Sequence, residues 1–415
     1  MSTSPAGLDA DTTGIAHPLY VDADGVNRPP GPDKHPSYAE FAASGSGVVR
    51  VIRTVNGRRI EAKLICRYAD VREVLRRQTT FSRATAAHAD DVDVSGTMLG
   101  MDGEEHARVR DIVREAFTRS AVAGLRGPLE KTAAERLAAI TADGRHADLL
   151  ADFALPFALD TICDLLGLPG DDRLRFRAWG DMFLGTADLT RDDAAQSELE
   201  MGGYLWEQIE LRRARPADDL LTRIAVTGAD LAPDVQIKLA LALVVGGWDT
   251  AASSIARFVY VLLTREYAGH RTAWAHLLAH PTEIDTAVTE LERLYSTTNG
   301  DDMPRRVTAD VVLPSGTPLQ EGDIVIPSHD AANRDPRVFD DPAKMDFGRD
   351  PNPHMSYGHG AHYCIGAPLG SLEIRVALKA LLRELPTLRL AVPPGDIPWK
   401  AGHSIAGPES LPVEW

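Results

Sequence analysis

A glycine-rich loop that leads directly into a helix pattern, residues 357–366, constrains this chain more than any other segment. Its cysteine, Cys364, stands just before the helix, where unpaired backbone N–H groups and the helix dipole favour a negatively charged sulfur. The flanking glycines allow bends and close backbone approaches that a side chain would prevent. One thiolate presented in this way suits an axial iron site whose other ligands come from a macrocycle. A buried structural cysteine is the alternative, and it is the commoner fate of an isolated cysteine.

The loop resembles the heme-binding signature of the cytochrome P-450 family, the heme-thiolate monooxygenases. The residues that match the family's pattern are Tyr357, Gly358, Gly360, His362, Cys364 and Gly366. Two positions depart from it. Tyr357 stands where phenylalanine is usual, and its hydroxyl is predicted to lie near the thiolate and alter its electron donation. Gly370-Ser371 replaces the usual Ala-Arg, which removes one basic contact from the proximal surface.

Charge and cysteine content limit the class of protein. The chain carries 44 basic and 60 acidic residues, a net charge of −16, which argues against nucleic acid or an anionic membrane as a partner. The spacing of Cys66, Cys163 and Cys364 fits no disulfide framework or zinc site and indicates a reducing compartment. The N-terminus lacks the layout of a signal peptide, and the most apolar segment, 237–263, contains charged residues. We therefore expect a soluble, cytoplasmic protein.

The chain divides into an N-terminal arm, residues 1–32, and a single domain, residues 33–415. Hydrophobic periodicity is mostly helical from 102 to 263. Alternating residues on both sides of Asn56-Gly57 predict a hairpin with strands near 48–52 and 59–64. The resemblance implies a mainly α fold with a minor antiparallel β component, arranged as a triangular, helix-rich single domain. The loop with the cysteine would occupy residues 356–366.

A second motif lies in a helix predicted over about 232–264. Gly246 and Gly247 cost this helix roughly 2 kcal/mol relative to alanine, which is tolerated where a flat group lies against the backbone. Gly246 and Thr250 share one face. The segment resembles the family's distal helix motif, which implies that Thr250 bonds to O₂ and that Asp249 relays protons from solvent. A kinked, buried helix is the alternative, and Trp248 faces away and is predicted to pack in the core.

A buried heme needs basic partners for its two carboxylates. His106 and Arg110 lie four residues apart on one predicted helix, and they resemble the family's clamp for these groups. Arg305 falls where another clamp arginine is expected, and Arg306 is the alternative by a shift of one residue. His362 would be the fourth contact.

Glu290 and Arg293 lie three residues apart on a predicted helix. Alone they would be a surface ion pair of little value. In their order along the chain they resemble the family's Glu-any-any-Arg structural pair. Lys344 stands where an arginine usually completes the network, and lysine lacks the bidentate fork of arginine.

Electrons are expected from another protein, because the sequence has no glycine-rich loop for a flavin or nicotinamide phosphate. The resemblance suggests a ferredoxin with its ferredoxin reductase. Arg108 and Arg114, on the helix of the heme clamp, are predicted to help dock it. His88, His354 and His359 have no partner at ligand spacing, so no second metal site is predicted.

The resemblance places the substrate pocket near residues 81–100 and 183–190, at Ala242 and Val245, and at Thr297 and Thr298. Asp90, Asp91 and Asp93 add to the polar character of the first segment. A substrate with hydroxyl or amine groups is therefore predicted.

The predicted function is a heme b-dependent monooxygenase that inserts one oxygen atom of O₂ into a small organic substrate by hydroxylation or epoxidation. A tailoring step in secondary metabolism is implied by resemblance. Two alternatives stay open: a heme-thiolate enzyme with another oxidation, such as ring coupling or nitration, and a non-catalytic heme sensor or carrier.

Overall fold

The structure is a computed structural model of the chain. It describes residues 15–16, 31–55, 58–89, 94–142, 144–172, 175–176, 179, 191–297, 303–400 and 405–415. Several predicted features lie outside these residues: most of the N-terminal arm, the turn Asn56-Gly57, Asp90, Asp91 and Asp93, the segment 183–190, and Thr298.

Helices dominate the described residues, as predicted. They are α1 (Ser37–Ala43), α2 (Tyr68–Arg76), α3 (Gly103–Arg114), α4 (Arg119–Gly124), α5 (Arg126–Ala142), α6 (Leu155–Leu166), α7 (Arg191–Ala214), α8 (Leu220–Val226), α9 (Pro233–Thr264), α10 (Ala273–Ala279), α11 (Ile284–Leu294), α12 (His329–Ala332) and α13 (Ala367–Glu384).

Local sequence sets several helix boundaries. The side chains of Thr118, Asp219 and Thr272 accept hydrogen bonds from the first turns of α4, α8 and α10, which satisfies N–H groups that lack partners within the helix. Helix α6 ends at Gly167, whose φ of 81° is the left-handed conformation that glycine adopts most easily. The boundaries therefore follow from local residue chemistry.

Helix α9 is the central element. It contains 32 residues, which gives a length of about 48 Å, and its bounds lie within one residue of the predicted ones. It packs against α6, α7 and α13. Its length and hydropathy alone would allow it to cross a membrane, but most of its apolar window is buried in the fold. The buried Trp248 donates from Nε1 to the carbonyl of Leu155 at 3.0 Å, so its predicted core position is confirmed.

The minor β component forms a six-stranded, a three-stranded and a two-stranded sheet among the described residues. The strands are β1 (Ile15–Ala16), β2 (Val48–Val55), β3 (Arg58–Ile65), β4 (Phe81–Ser82), β5 (His146–Asp148), β6 (Arg305–Val307), β7 (Val311–Val312), β8 (Pro318–Leu319), β9 (Ile324–Pro327), β10 (Arg389–Leu390) and β11 (Pro412–Glu414).

The larger sheet has the order β1-β2-β3-β9-β6-β4. Strands β2 and β3 pair as the predicted antiparallel hairpin, in register from Val48↔Ile65 to Val55↔Arg58. Most described pairs are antiparallel, but β1 with β2 and β3 with β9 are parallel. The sheet is therefore mixed, because β9 returns to β3 through a long connection instead of a hairpin.

The largest group of packed, buried hydrophobic residues reaches from Met98 to Val413 and includes most of α9. Smaller groups lie under the sheet. The loop that carries Cys364 packs against α2 and leads into α13. The fold thus brings the two predicted motifs, distant in sequence, into one body.

Candidate active site

The Cys364 loop is held by backbone contacts. Gly358 and Gly360 have φ of 75° and 74°, a conformation that other residues rarely adopt. A Cβ atom at Gly360 would lie 2.4 Å from the carbonyl oxygen of Leu75 in α2. Within the loop, the Cys364 N–H donates to the Tyr357 carbonyl at 2.8 Å. The glycine at 360 is therefore required for the loop to pack on α2.

The surroundings of the Cys364 sulfur act in opposite directions on its ionisation. Desolvation by the protein raises the pKa of the thiol and exceeds the opposing effects of the Gly366 and Ala367 N–H groups and of Arg110. Cys364 is nevertheless an exposed residue, so a group from outside the protein can reach its sulfur. A coordinated metal ion deprotonates a thiol outright, so the ionised ligand fits a metal-bound state.

Basic groups gather beside this loop. The rings of His106 and His362 lie 4.2 Å apart. Arg305 is 1% exposed, whereas Arg306 is exposed, which favours Arg305 for the clamp position. Arg110 donates from Nη2 to the carbonyl of Tyr363 at 2.6 Å and thereby also braces the cysteine loop. The structure brings the predicted clamp residues together.

The cluster fits an anionic group such as the heme carboxylates. Burial, together with the charges of His362, Arg110 and Arg305, lowers the pKa of His106 to about 4, against the opposing effect of Asp102. The Nε2 atom of His106 is buried and has no hydrogen-bond partner among the described residues. Bound carboxylates would offset the repulsion between these basic groups and would give the unpaired ring nitrogen a hydrogen-bond partner.

The distal motif presents an open face inside a buried helix. Gly246 is exposed although α9 is mostly buried, and a Cβ atom there would meet no protein atom within 4 Å. Thr250 donates to the Gly246 carbonyl at 2.7 Å. By contrast, a Cβ atom at Gly247 would lie 3.0 Å from Ile162 in α6. The two glycines thus serve different purposes: Gly246 opens a face, and Gly247 allows two helices to pack.

Asp249 has an ion-pair partner that the sequence did not predict. It is 2% exposed, and Lys400 donates to its Oδ1 and Oδ2 at 2.8 and 2.9 Å. Lys400 also donates to Ser253 Oγ at 3.2 Å, and Ser253 donates to Asp249 Oδ1 at 2.9 Å. The acid is therefore held in a buried ion pair, and no local pattern announces a lysine 151 residues away.

The two departures from the family pattern meet at one carboxylate. Tyr357 donates its hydroxyl to Glu292 Oε1 at 2.9 Å, and Ser371 donates to the same oxygen at 2.5 Å. Glu292 is 5% exposed. Although burial raises its pKa, His354, Arg375 and Ser371 hold it below the ordinary value. The Tyr357 hydroxyl is thus directed to Glu292.

The predicted Glu290–Arg293 pair is buried and bidentate, with N···O distances of 2.8 and 2.7 Å. The expectation that Lys344 completes it was wrong. Arg349 Nε donates to Glu290 Oε1 at 3.2 Å, while Lys344 offers only its carbonyl oxygen. An arginine five residues further along therefore supplies the third side chain.

The described candidate pocket residues lie on α9 or against it. Ala242 and Val245 are half-buried on α9 near Gly246. Thr297 is 6% exposed, and its hydroxyl bonds to Ser254 Oγ at 2.7 Å, so that hydroxyl already has a protein partner. The candidate docking residues Arg108 and Arg114 are exposed and paired with Asp230 and Asp111.

Comparisons with known proteins show what this chain is similar to. The cytochrome P-450 family model matches residues 278–403. A mycinamicin IV hydroxylase/epoxidase from Micromonospora griseorubida is 37% identical over 86% of this chain and 90% of its own length. The nocardicin C N-oxygenase of Nocardia uniformis subsp. tsuyamanensis is 36% identical over 92% of this chain and 96% of its own.

Solved structures give the same result for the fold. The LnmA cytochrome P-450 hydroxylase from the leinamycin biosynthetic pathway of Streptomyces atroolivaceus superposes with a TM-score of 0.84 at 35% identity, covering 94% of this chain and 98% of that one. The chain therefore belongs to the cytochrome P-450 family, and it is a heme-iron monooxygenase that uses a substrate, O₂ and a redox partner.

Proposed function

We propose that this enzyme binds heme b and inserts one oxygen atom of O₂ into a polar secondary metabolite. The observation that carries the cofactor assignment is the buried cluster of His106, Arg305 and His362 beside the Cys364 loop. In this arrangement Cys364 would ligate the heme iron, and Arg110 together with the three clustered residues would hold the heme carboxylates. The cofactor site would also be lined by Tyr357, Gly358, Gly366 and Gly246.

The heme iron supplies O₂ activation and the oxidation of the substrate. The residues of α9 supply proton control. Thr250 keeps its hydroxyl on the open face beside Gly246. Asp249 is held by Lys400, which donates to both of its carboxylate oxygens, and this fixes the position of the carboxylate on α9. The ion pair and the hydrogen bond from Lys400 to Ser253 thus join α9 to the C-terminal segment of the chain.

The central test is the absorption spectrum of the reduced, CO-bound protein. The wild-type enzyme is expected to show the spectrum of a thiolate-ligated heme, and Cys364→Ser to lose it. Cys163→Ser is the matched control, because Cys163 is a buried cysteine of the core. A variant without the Cys364 sulfur that kept the spectrum would contradict the assignment.

The substrate is proposed to carry hydroxyl or amine groups. The support is the polar character of residues 296–302 and the named activities of two relatives, on mycinamicin IV and nocardicin C. Ala242, Val245, Thr297 and Thr298 are the proposed lining residues. Spectral titration of the ferric enzyme with polar polyketides and peptides, against a terpene set, tests this; tight terpene binding would reject it.

Product analysis distinguishes the proposed reaction from ring coupling. A mass gain of one oxygen atom is expected for hydroxylation or epoxidation. Loss of two hydrogen atoms without added oxygen would instead assign a coupling reaction. If this protein, supplied with ferredoxin, its reductase, substrate and O₂, caused no NADPH consumption, a non-catalytic heme protein would be favoured.

The redox partner is proposed to be a ferredoxin served by its reductase, docked at Arg108 and Arg114 on α3. Charge reversal at both positions is expected to slow reduction by a ferredoxin. An unchanged rate would reject this docking surface. We also propose a cytoplasmic location and one folding unit over residues 33–415.

A further inference from the structure

Three histidines just beyond the C-terminal end of α9 form a second group of metal-ligating side chains. His270, His276 and His280 each offer a ring nitrogen, and these nitrogens lie within 4.8 Å of one another. Three histidines lie within eleven residues of the sequence. The prediction of no second metal site did not take them into account. None of them belongs to the Cys364 site.

The backbone holds the three histidines in place. His270 ends a tight turn in which it and Tyr267 exchange hydrogen bonds of 3.2 and 2.8 Å, with positive φ at Ala268 and Gly269. His276 lies in α10, and the His280 N–H donates to its carbonyl at 2.8 Å. His276 and His280 are therefore one helical turn apart, the spacing that places two imidazoles on the same face.

His276 is arranged as metal-binding histidines are. It is 6% exposed, and its Nε2 lies 2.9 Å from Oε2 of Glu283. Its Nδ1 is buried without a hydrogen-bond partner among the described residues. A carboxylate that accepts from one ring nitrogen leaves the other with its lone pair free, and this is the common support of a metal ligand. The unpaired Nδ1 lacks an interaction that a metal ion would supply.

We propose that His270, His276 and His280 bind one divalent transition-metal ion, with Glu283 orienting His276. Three neutral imidazoles suit Zn²⁺ and exclude Mg²⁺ and Ca²⁺, which require oxygen ligands. Three protein ligands leave a fourth position for water. The Glu283 carboxylate offsets part of the ion's charge.

Metal binding at this position would stabilise the segment that precedes the Cys364 loop. Tyr267 stacks on Phe347 with ring centroids 4.1 Å apart and accepts the Phe347 N–H at 2.8 Å. Tyr267, which precedes the histidine cluster, thus contacts the segment 346–349. Glu290, which follows the cluster, accepts hydrogen bonds from Asp346 and Arg349 of the same segment. Zinc is therefore expected to raise the melting temperature of the holoenzyme.

The test uses untagged holoenzyme, treated with EDTA and then dialysed against Zn²⁺. Elemental analysis is expected to give one retained zinc per heme iron, and calorimetry a single class of site. His280→Ala removes an exposed ligand and is expected to abolish the retained zinc. Glu283→Gln is expected to weaken binding about 10–100-fold. His146→Ala, an exposed histidine elsewhere, is the control and should bind as the wild type does.

Folding is checked separately, by the CO-bound spectrum and the melting temperature in EDTA, which should match the wild type in each variant. Wild-type enzyme that retains no zinc would overturn the proposal. Zinc retention at the wild-type level by both His270→Ala and His280→Ala would also overturn it.

Discussion

At the scale of single residues, the ion pair between Asp249 and Lys400 carries the largest consequence. Lys400→Met leaves a carboxylate buried without its counter-charge, which costs about 3–5 kcal/mol. The melting temperature is therefore expected to fall. Product formation is also expected to fall, because the Asp249 carboxylate loses the ammonium group that holds it in place.

The control for this prediction is the double variant with Asp249→Leu. Replacement of a whole buried ion pair by apolar groups is close to neutral for stability, so the double variant should recover much of the lost melting temperature while remaining impaired in turnover. A double variant as unstable as Lys400→Met alone would show that Lys400 stabilises the fold by other contacts.

At the scale of elements, the Cys364 loop depends on its contact with α2. Gly360→Ala introduces a Cβ atom 2.4 Å from the Leu75 carbonyl at a φ of 74°, so the loop or the helix must move. Heme incorporation and the CO-bound spectrum are expected to be lost. Gly370→Ala in α13 is the matched control, because its Cβ atom would meet nothing within 4 Å. Equal heme content in the two variants would contradict this role for the contact.

The adjacent glycines of α9 give a second prediction at this scale. Gly247→Ala is expected to lower the melting temperature, because its Cβ atom would lie 3.0 Å from Ile162. Gly246→Ala meets no protein atom and gains helix propensity of about 1 kcal/mol, so the heme-free protein should be stabilised. Gly246→Ala should instead weaken heme binding or turnover, since the added methyl group enters the open face. If Gly246→Ala and Gly247→Ala changed the melting temperature in the same direction, and also changed heme binding or turnover in the same direction, these separate roles of the two glycines would be rejected.

At the scale of the whole molecule, the features that could be predicted from the sequence are those encoded within short segments. The Cys364 loop, the Gly246–Thr250 motif and the β2–β3 hairpin are local patterns, and their order along the chain indicates one fold. The contacts of Lys400 and Arg349 could not be predicted in this way. Each joins segments far apart in sequence. Their pairing depends on tertiary packing, which the local hydrophobic periodicity does not reveal.

The meeting of Tyr357 and Ser371 at Glu292 illustrates the same limit. Each departure from the family pattern was visible, but their connection was not, because Glu292 lies on α11, more than 60 residues before either of them. The neighbouring Glu290 and Arg293 were recognisable by their spacing. Glu292 belongs to no such motif, so only the folded chain assigns its partners.

The dependence of global stability on pH is set in part by Glu373, a buried residue of α13. Burial raises its pKa to about 8, and a hydrogen bond from Thr161 of α6 opposes this only in part. Because the pKa in the unfolded chain is near the ordinary value of about 4.3, the folded protein binds the additional proton between these values. Stability from this group is therefore complete below about pH 4 and falls by about 1.4 kcal/mol per pH unit as the pH rises towards 8.

Glu373→Gln removes this titration while nearly preserving volume. The melting temperature of the variant relative to wild type is expected to increase steadily between pH 5 and 8, with the largest gain at the upper end. Glu384→Gln, at the exposed C-terminal end of the same helix, is the control and should leave the pH dependence unchanged. A constant difference between Glu373→Gln and wild type across this range would mean that the Glu373 carboxyl titrates alike in the folded and unfolded chains.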